Sequence, residues 1–193
     1  MRSLLEYLLL TASRGVVSRF RLAVYRFLGM KAGARNRFEG FGRVRRCSQI
    51  EIGSYNSFTQ GCWLWPNNVN YKGVRIRIGN RNYFNRNFMI DACGLVEIGD
   101  HNMFGPDVYI TDSNHTFGTG FRPNEQPMQV GKVKIGNSCW IGAKVVILKD
   151  VELGDGCVVG AGAVVTRSVA PGSVVAGVPA KRLAQNVSQS VSK

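Results

Sequence analysis

Branched aliphatic residues recur at every sixth position through the C-terminal half of the chain. The period is unbroken from Ile135 to the proline that closes it, Pro171. Its aliphatic members are Ile135, Ile141, Ile147, Leu153, Val159 and Val165. A second apolar series follows each of these by four places: Cys139, Val145, Val151, Cys157, Ala163, Val169 and Val175. A fixed period is typical of repeat architectures, in which each repeat is one small structural unit.

The spacing within each repeat predicts a short strand, a turn and another short strand. The second apolar residue precedes the next aliphatic by two, so both point to the same face of a strand. Between them, Gly136-Asn137 and Gly154-Asp155 tolerate the positive φ of a tight turn. One repeat cannot bury its apolar face alone, so the repeats are predicted to stack into an all-β solenoid. A helix is disfavoured because six does not match 3.6.

The same period is present, with interruptions, in the N-terminal half. Its members there are Ile52, Phe58, Leu64, Ile78, Phe84, Ile90, Ile98, Phe104 and Ile110. The period disappears after His115, where glycines and a proline predict an extruded loop at about residues 116–133. Long loops on a rigid scaffold commonly carry function. We therefore predict a repeat domain over residues 31–182, with this loop, and a polar tail over residues 183–193.

Residues 1–30 form a separate segment that alternates apolar and basic character at helical spacing. Its apolar stripe consists of Leu5, Leu9, Val16, Phe20, Val24 and Phe27, and it is flanked by Arg14, Arg19, Arg21 and Arg26. The arginines interrupt it too often for a transmembrane span, and no signal-peptide cleavage site follows. Two interpretations stay open: a basic amphipathic helix on an anionic membrane surface, or a helix packed on the end of the solenoid or on a neighbouring subunit.

The charge of the chain is strongly positive and unevenly distributed. The formal net charge is +13, and residues 1–46 contribute +9 of it, from eleven Arg and Lys against Glu6 and Glu39. This favours a basic patch that meets an acidic partner. The five cysteines show no metal-ligand spacing, and Cys139 and Cys157 occupy inward repeat positions, which favours a reducing compartment.

The chain has two histidines, and they differ in their context. His101 falls at a turn of an ordinary repeat and is interpreted as a solvated corner residue. His115 stands where the last regular repeat gives way to the loop, in Asp112-Ser113-Asn114-His115. From the residues alone, His115 is either a catalytic base or a surface bystander.

The repeats carry a family resemblance. The run from Lys134 to Pro179 resembles the hexapeptide-repeat acyltransferases, which implies a left-handed parallel β-helix with three repeats per triangular coil. From Asn82 onward the chain is similar to galactoside and maltose acetyltransferases and to O-acetyltransferases of bacterial surface polysaccharides. The most specific segments are Phe84-Asn85-Arg86-Asn87, Asp112-Ser113-Asn114-His115, Trp140-Ile141-Gly142-Ala143 and Ala176-Gly177-Val178-Pro179-Ala180.

The resemblance implies roles for individual residues. His115 matches the general base, which suits imidazole, and Asn85 matches a position that contacts the acceptor. The backbone N–H groups at Gly142 and Ala143 are expected at the thioester, where an oxyanion develops. The residues matching positions along the coenzyme A channel are Ala161, Thr166, Arg167 and Lys181.

Three positions depart from the family pattern. Cys93 stands where sugar-specific members carry an acidic acceptor ligand, so the identity of the acceptor does not transfer. Ala143 lacks the hydroxyl of the serine often found there. Lys181 replaces an arginine and keeps its charge without its bidentate geometry.

The sequence therefore predicts an acetyl-CoA-dependent O-acetyltransferase that modifies a sugar hydroxyl in surface-polysaccharide biosynthesis. We expect a cytoplasmic homotrimer with sites at subunit interfaces, a sugar or lipid-linked glycan acceptor at the membrane face, no metal and no nucleic acid. The alternatives are an amino-sugar N-acetyltransferase on the same fold and a non-catalytic basic binding module. A carbonic-anhydrase-like protein is disfavoured because a zinc site there needs three histidines.

Overall fold

The computed structural model describes residues 2–40, 42–67, 73–116, 122 and 125–185, with side chains from residue 15 to residue 183 of this set. Of the predicted loop, residues 117–121, 123 and 124 therefore lie outside the described part. Residues 186–193 of the predicted tail lie outside it as well. The described chain is one N-terminal helix, α1 (Arg2–Phe27), followed by short strands that wind into a parallel β-helix.

Six described coils of the β-helix each contribute one strand to each of three sheets, and the C-terminal end adds two more strands to sheet B. Sheet A contains, in chain order, β1 Lys31–Ala32, β4 Ile50–Ile52, β7 Ile76–Ile78, β10 Leu95–Ile98, β15 Lys132–Ile135 and β18 Glu152–Leu153. Sheet B contains β2 Arg37–Phe38, β5 Ser57–Phe58, β8 Tyr83–Phe84, β11 Met103–Phe104, β16 Trp140–Ile141, β19 Val158–Val159, β21 Ser173–Ala176 and β22 Lys181–Gln185. Sheet C contains β3 Arg43–Val44, β6 Trp63–Pro66, β9 Met89–Ala92, β12 Tyr109–Thr111, β17 Val146–Ile147 and β20 Val164–Val165.

Two elements stand apart from the three sheets. A single 3₁₀ turn, Cys47–Gln49, leads from the first coil into β4. Strands β13 (Ser113–His115) and β14 (Met128–Val130) pair antiparallel and form a hairpin that leaves the coil after β12.

The six-residue period produces the core directly. The aliphatic and phenylalanine members of the series from Ile52 to Val165 are all buried, and like positions of successive coils lie side by side. In sheet B the rings of Phe38, Phe58, Phe84 and Phe104 stack with centroids 4.6, 4.5 and 4.9 Å apart. Fully burying one such side chain contributes about 1.5–3 kcal/mol, so the ladder provides much of the stability.

The first coil is more regular than its glycine- and arginine-rich sequence suggests. Ala32, Phe38 and Val44 continue the period of six and pair with β4, β5 and β6 in parallel register. Helix α1 packs on the open end of this coil through Ser18, which is buried, and Leu22. The described contacts of this segment are with the end of the solenoid, as in the second of its two interpretations.

The last described strand lies across the predicted domain boundary at residue 182, which stays a prediction. Strand β22 reverses direction after β21 and pairs with it antiparallel as far as Gln185. The reversal covers the outer edge of β21 in sheet B. The backbone groups of β21 that would otherwise be unpaired at this edge are therefore bonded to β22.

Candidate active site

Three corners connect the sheets of each coil, and they are named here by the sheets they join. The A–B edge follows the strands of sheet A, the B–C edge follows those of sheet B, and the C–A edge follows those of sheet C. The hairpin of β13 and β14 leaves from the C–A edge.

His115 is the last residue of β13, and its side chain is exposed. Its backbone pairs with Met128 across the hairpin, so the position of the imidazole depends on how the hairpin is held. Thr116 adds a contact across the hairpin next to this pair, because its hydroxyl donates to the Pro127 carbonyl at 2.8 Å. The histidine therefore stands on an ordered strand at the point where the chain leaves the coil.

Two of the predicted coenzyme A residues lie on the same edge as His115. Thr166 and Arg167 follow β20, and both are exposed. In sheet C, β12 pairs with β17 and β17 with β20. Two strand spacings of about 4.8 Å place these residues roughly 10 Å from the His115 coil along the solenoid axis.

The remaining predicted residues lie mainly on the B–C edge. Asn85 follows β8, Gly142 and Ala143 follow β16, and Ala161 lies two residues beyond the end of β19. Asn85 is half-buried, and its side-chain oxygen accepts the Arg86 N–H at 2.8 Å. Lys181 begins β22 opposite Ala176 at the C-terminal end of the solenoid, where it is exposed.

The two backbone N–H groups expected at the thioester differ in their hydrogen bonding. The Gly142 N–H donates to the Val159 carbonyl at 2.8 Å as part of the coil-to-coil ladder, and its role at an oxyanion stays a prediction. Within the described residues, the Ala143 N–H has no acceptor. A Cβ at Gly105 would come within 2.6 Å of this nitrogen, so glycine at that position keeps the Ala143 N–H uncovered.

The single chain does not bring the two edges together. Asn85 precedes the sheet C strand of its coil, whereas His115 follows the sheet C strand of the next coil. A strand of four residues, such as β9, is about 13 Å long. The predicted acceptor residue and the predicted base are therefore separated by the width of sheet C.

A buried carboxylate at the root of the hairpin was missed by the sequence prediction. Asp112 is fully buried, and its two oxygens accept the N–H groups of Cys93 and Gly94 at 2.8 and 2.9 Å. Burial raises the pKa of Asp112 to about 6, against the lowering effect of these two amides and of Arg75. The sequence signal that could have indicated this buried carboxylate is the presence of an acidic residue inside a repeat, directly before the loop.

Cys93 takes its place in the same cluster. Its thiol is buried beside Ser113, and burial raises the pKa of Cys93. Asp112 does not replace the acidic acceptor ligand expected at position 93, because both of its oxygens are occupied by backbone amides and the side chain is inaccessible. Asp91, on the neighbouring strand, has one buried oxygen without a partner among the described residues, and burial raises the pKa of this carboxyl.

The remaining histidine, the other metal-ligating side chains and the cysteines give three further observations. His101 is exposed at a turn with φ of 60°, in agreement with a solvated corner. Among the described residues, no three His, Cys, Asp or Glu side chains are grouped to hold a metal ion. All five cysteines are buried and free.

The repeats of this chain match a known protein family. Residues 132–167 match the family model described as bacterial transferase hexapeptide (six repeats). The predicted hexapeptide-repeat resemblance is confirmed. No curated protein matches the sequence.

Solved structures of similar fold include three bound to coenzyme A or acetyl coenzyme A. A mutant of AntD, an N-acyltransferase from Bacillus cereus in complex with dTDP and coenzyme A, has a TM-score of 0.74 at 19% identity, covering 84% of this chain and 88% of its own. A galactoside acetyltransferase in complex with coenzyme A has a TM-score of 0.63 at 25% identity, with 86% and 70% covered. A hexapeptide-repeat acetyltransferase from Vibrio cholerae, with acetyl coenzyme A, has a TM-score of 0.60 at 23% identity, with 88% and 78% covered.

These matches bear on the fold and the class of protein. The fold is the predicted left-handed parallel β-helix. The family model and the solved structures support the predicted acyltransferase.

Proposed function

We propose that this protein is an acetyl-CoA-dependent O-acetyltransferase that acts on a sugar hydroxyl in the biosynthesis of a bacterial surface polysaccharide. The observation that carries the proposal is the exposed His115 on the first strand of the hairpin, at the edge that also bears Thr166 and Arg167. The similarity to acetyltransferases of sugars supports the choice of acceptor class.

His115 acts as the general base in this proposal. A sugar hydroxyl is a poor nucleophile at neutral pH until a base takes its proton during the attack. His115 accepts that proton while the hydroxyl oxygen bonds to the acyl carbon, and it returns the proton to the departing sulfur. In a homotrimer, the Ala143 N–H of the neighbouring protomer, which has no acceptor within the described residues, would face the developing oxyanion.

Coenzyme A, which supplies the acetyl group as a reactive thioester, would lie between two protomers, because its predicted residues are on both edges. Ala143 and Ala161 line the B–C edge with small side chains, and Arg167 and Lys181 present exposed cations near the C-terminal end. Such cations suit the phosphates and adenosine end of the molecule, while the small residues leave room for its narrow arm.

A homotrimer would complete this site. The outward side chains of sheet A form a charged ladder, with Arg77 bonded to both Glu51 and Glu97. Sheets B and C instead present apolar rows, Tyr83, Met103 and Trp140 on B and Met89, Tyr109 and Val146 on C. A closed ring uses two different patches of each protomer, so these two faces suit it. His115 of one protomer would then meet Asn85 of its neighbour.

An amino-sugar N-acyltransferase is the second candidate, and a specific similarity favours it. The N-acyltransferase AntD shares the fold over most of both chains. An amine acceptor would need the same base and the same thioester. The two candidates differ in the bond that is made, an ester or an amide.

The location that fits this function is the cytoplasm, at the inner face of the membrane. Five free, buried cysteines agree with a reducing compartment. Among the described residues, no helix combines the length and the hydropathy needed to cross a bilayer. Val16, Phe20 and Phe27 are 66, 70 and 90% exposed and lie on one side of α1 beside Arg19. We name them the N-terminal stripe, and we propose that it rests on anionic lipid, near lipid-linked glycan acceptors.

Thiol release from acetyl-CoA tests the proposal across sugars, amino sugars and lipid-linked glycans. The product is then treated with hydroxylamine, which cleaves acetyl esters and leaves amides intact. The proposal expects release with a hydroxyl acceptor and a hydroxylamine-labile product. A hydroxylamine-resistant product would favour the N-acyltransferase. If none of the acceptors in the panel caused thiol release, both candidates would be contradicted.

A further inference from the structure

The peptide unit of Gly94 is held on both sides by buried charged side chains. Its N–H donates to the Asp112 carboxylate at 2.9 Å, and its carbonyl accepts a hydrogen bond from the Arg75 guanidinium at 2.6 Å. Both side chains are buried, with exposures of 0% for Asp112 and 7% for Arg75. Arg75 precedes β7, Gly94 precedes β10 and Asp112 follows β12, so the contacts join successive coils along the C–A edge.

The root of the hairpin is fixed to the same point. The Asp112 carbonyl accepts the Gly131 N–H at 2.8 Å, which closes the hairpin one residue beyond β14. Gly94 packs against Gly131 so closely that a Cβ at position 94 would overlap the Gly131 carbonyl oxygen. The next residue, Ser113, is buried beside the Cys93 thiol. Both ends of the hairpin therefore rest on the turn at residues 93 and 94.

This coil differs from its neighbours at the position that Asp112 occupies. The equivalent residues lie two after the inward-facing aliphatic residue of each sheet C strand; they are Arg46, Pro66, Ala92, Lys149 and Arg167. Among these described positions, a buried carboxylate is present only in the coil from which the hairpin leaves. A buried charge is costly unless it is well bonded, so its presence here requires a local reason.

We propose that Asp112 is a positioning residue for His115, holding the root of the hairpin on the Gly94 turn with the help of Arg75. Two residues separate Asp112 from His115, and β13, which begins directly after Asp112, connects them. Bonds from a carboxylate to amides are short and strong, so they restrict the direction in which β13 leaves the coil. The inference rests on the proposed function only for the role of His115; the restraint on the hairpin is independent of it.

The test compares Asp112→Asn with the matched control Asp100→Asn. Asp100 also accepts a backbone N–H, from Asn80 at 2.6 Å, but it lies on the A–B edge, away from the hairpin. Each variant removes one negative charge and keeps the size of the side chain. Turnover and the KM for acetyl-CoA are measured for both, together with amide hydrogen exchange of residues 93–95, 113–116 and 125–131.

Asp112→Asn should lower kcat by roughly tenfold to a hundredfold, the loss that a displacement of about 1 Å in a reacting group produces. The KM for acetyl-CoA should change less than about twofold, because Arg167 and Lys181 lie on later coils. Exchange should accelerate in the hairpin and at the Gly94 turn. Asp100→Asn should leave both turnover and hairpin exchange unchanged.

The double variant His115→Ala/Asp112→Asn separates positioning from general stability. If Asp112 acts through His115, the double variant should be no slower than His115→Ala alone. If Asp112→Asn lowered kcat by the same factor in the His115→Ala background as in the wild-type background, the proposal would be overturned. Unchanged hairpin exchange in Asp112→Asn would overturn it as well, and so would a lowered melting temperature with the kcat of the folded enzyme intact. If the wild-type protein transfers no acyl group, the proposed function fails, whereas the exchange result still decides whether Asp112 restrains the hairpin.

Discussion

Four buried asparagines stack on one another at the A–B edge, one in each of four successive coils. The side-chain oxygens of Asn36, Asn56 and Asn82 accept the backbone N–H of the next asparagine at 2.8–2.9 Å, and that of Asn102 accepts the Cys139 N–H at 2.7 Å. In the later coils Cys139 and Cys157 occupy the place of the asparagine, where their thiols contact backbone carbonyls. The ladder satisfies corner groups that the strands leave unpaired.

Replacing one rung should therefore be costly. In Asn82→Ala, the Asn102 N–H and the Gly99 carbonyl would lose their partners inside the protein. Each unsatisfied buried group costs about 1–3 kcal/mol, so the free energy of unfolding should fall by about 3 kcal/mol or more. Denaturant unfolding measures this. Asn80→Ala, at an exposed corner position two residues earlier, is the control and should cost about 1 kcal/mol or less; equal losses would contradict the ladder.

Asp112 makes stability depend on pH in an unusual direction. Its pKa is raised from 3.8 to about 6, so the folded state holds the proton more tightly than the unfolded state. The stability that protonated Asp112 contributes is complete below about pH 4 and is lost as the pH rises through about 6. The loss amounts to about 3 kcal/mol at most, at roughly 1.4 kcal/mol per pKa unit.

The difference in unfolding free energy between wild type and Asp112→Asn isolates this effect. The surface carboxyls whose pKa values are lowered by neighbouring donors contribute equally to both proteins; they are Glu51, Asp150, Glu152 and Asp155. We expect wild type to lose stability relative to the variant between pH 4 and pH 7. A difference that does not vary with pH would show that Asp112 does not titrate in this range.

At the scale of elements, α1 closes the open end of the solenoid. The Ser18 hydroxyl accepts the Phe38 N–H at 2.8 Å, and the Arg26 guanidinium donates to the carbonyls of Ala32 and Gly33 at 2.9 and 2.7 Å. Arg21 donates to the Phe38 carbonyl at 3.2 Å. These bonds satisfy the exposed edges of β1 and β2, as a terminal cap of a repeat protein must.

This role explains why the helical pattern allowed two interpretations. Arginines that flank an apolar stripe suit an anionic membrane, but Arg21 and Arg26 are bonded to the first coil, whereas Arg19 remains exposed. The predicted Leu5, Leu9 and Arg14 lie outside the residues whose side chains are described. Sequence periodicity identifies the stripe but does not show what each arginine contacts, because that depends on the edge of a distant strand.

The N-terminal stripe can be tested without removing the cap. Phe20→Ser/Phe27→Ser should reduce sedimentation with anionic vesicles at low salt, because two large side chains no longer enter the interface. The melting temperature should stay unchanged, since both residues are largely exposed. Tyr55→Ser, at an exposed aromatic with Arg35 and Arg81 near its ring, is the control and should bind vesicles like wild type. Equal binding by all three proteins would end the membrane interpretation.

At the scale of the whole molecule, the period of six was sufficient to predict the core. It located the buried residues, and the resemblance supplied the handedness, which spacing alone does not determine. The period could not show that Gly142 donates its N–H to the next coil, because that bond depends on the register between coils. Nor could it reveal that Asp112 folds back onto the turn at residue 94, since the two are brought together only by stacking.

The assembly carries a prediction of its own, because the two edges of the site lie on opposite sides of sheet C. His115→Ala and Asn85→Ala should each be nearly inactive as pure proteins. If the site combines His115 of one protomer with Asn85 of the next, refolding the two together should restore about a quarter of wild-type activity, since that fraction of interfaces carries both native residues. No recovery, in mixtures shown to contain both variants in one oligomer, would place both residues in the same protomer.

The most direct measurement of the central claim is the turnover of acetyl-CoA by His115→Ala with an accepted sugar. Loss of the general base should lower kcat by about two orders of magnitude or more, while the fold and the affinity for coenzyme A hardly change. His101→Ala removes the other histidine of the chain, an exposed corner residue, and should turn over like wild type. A His115→Ala enzyme that retains most of its turnover, or a His101→Ala enzyme equally impaired, would contradict the account.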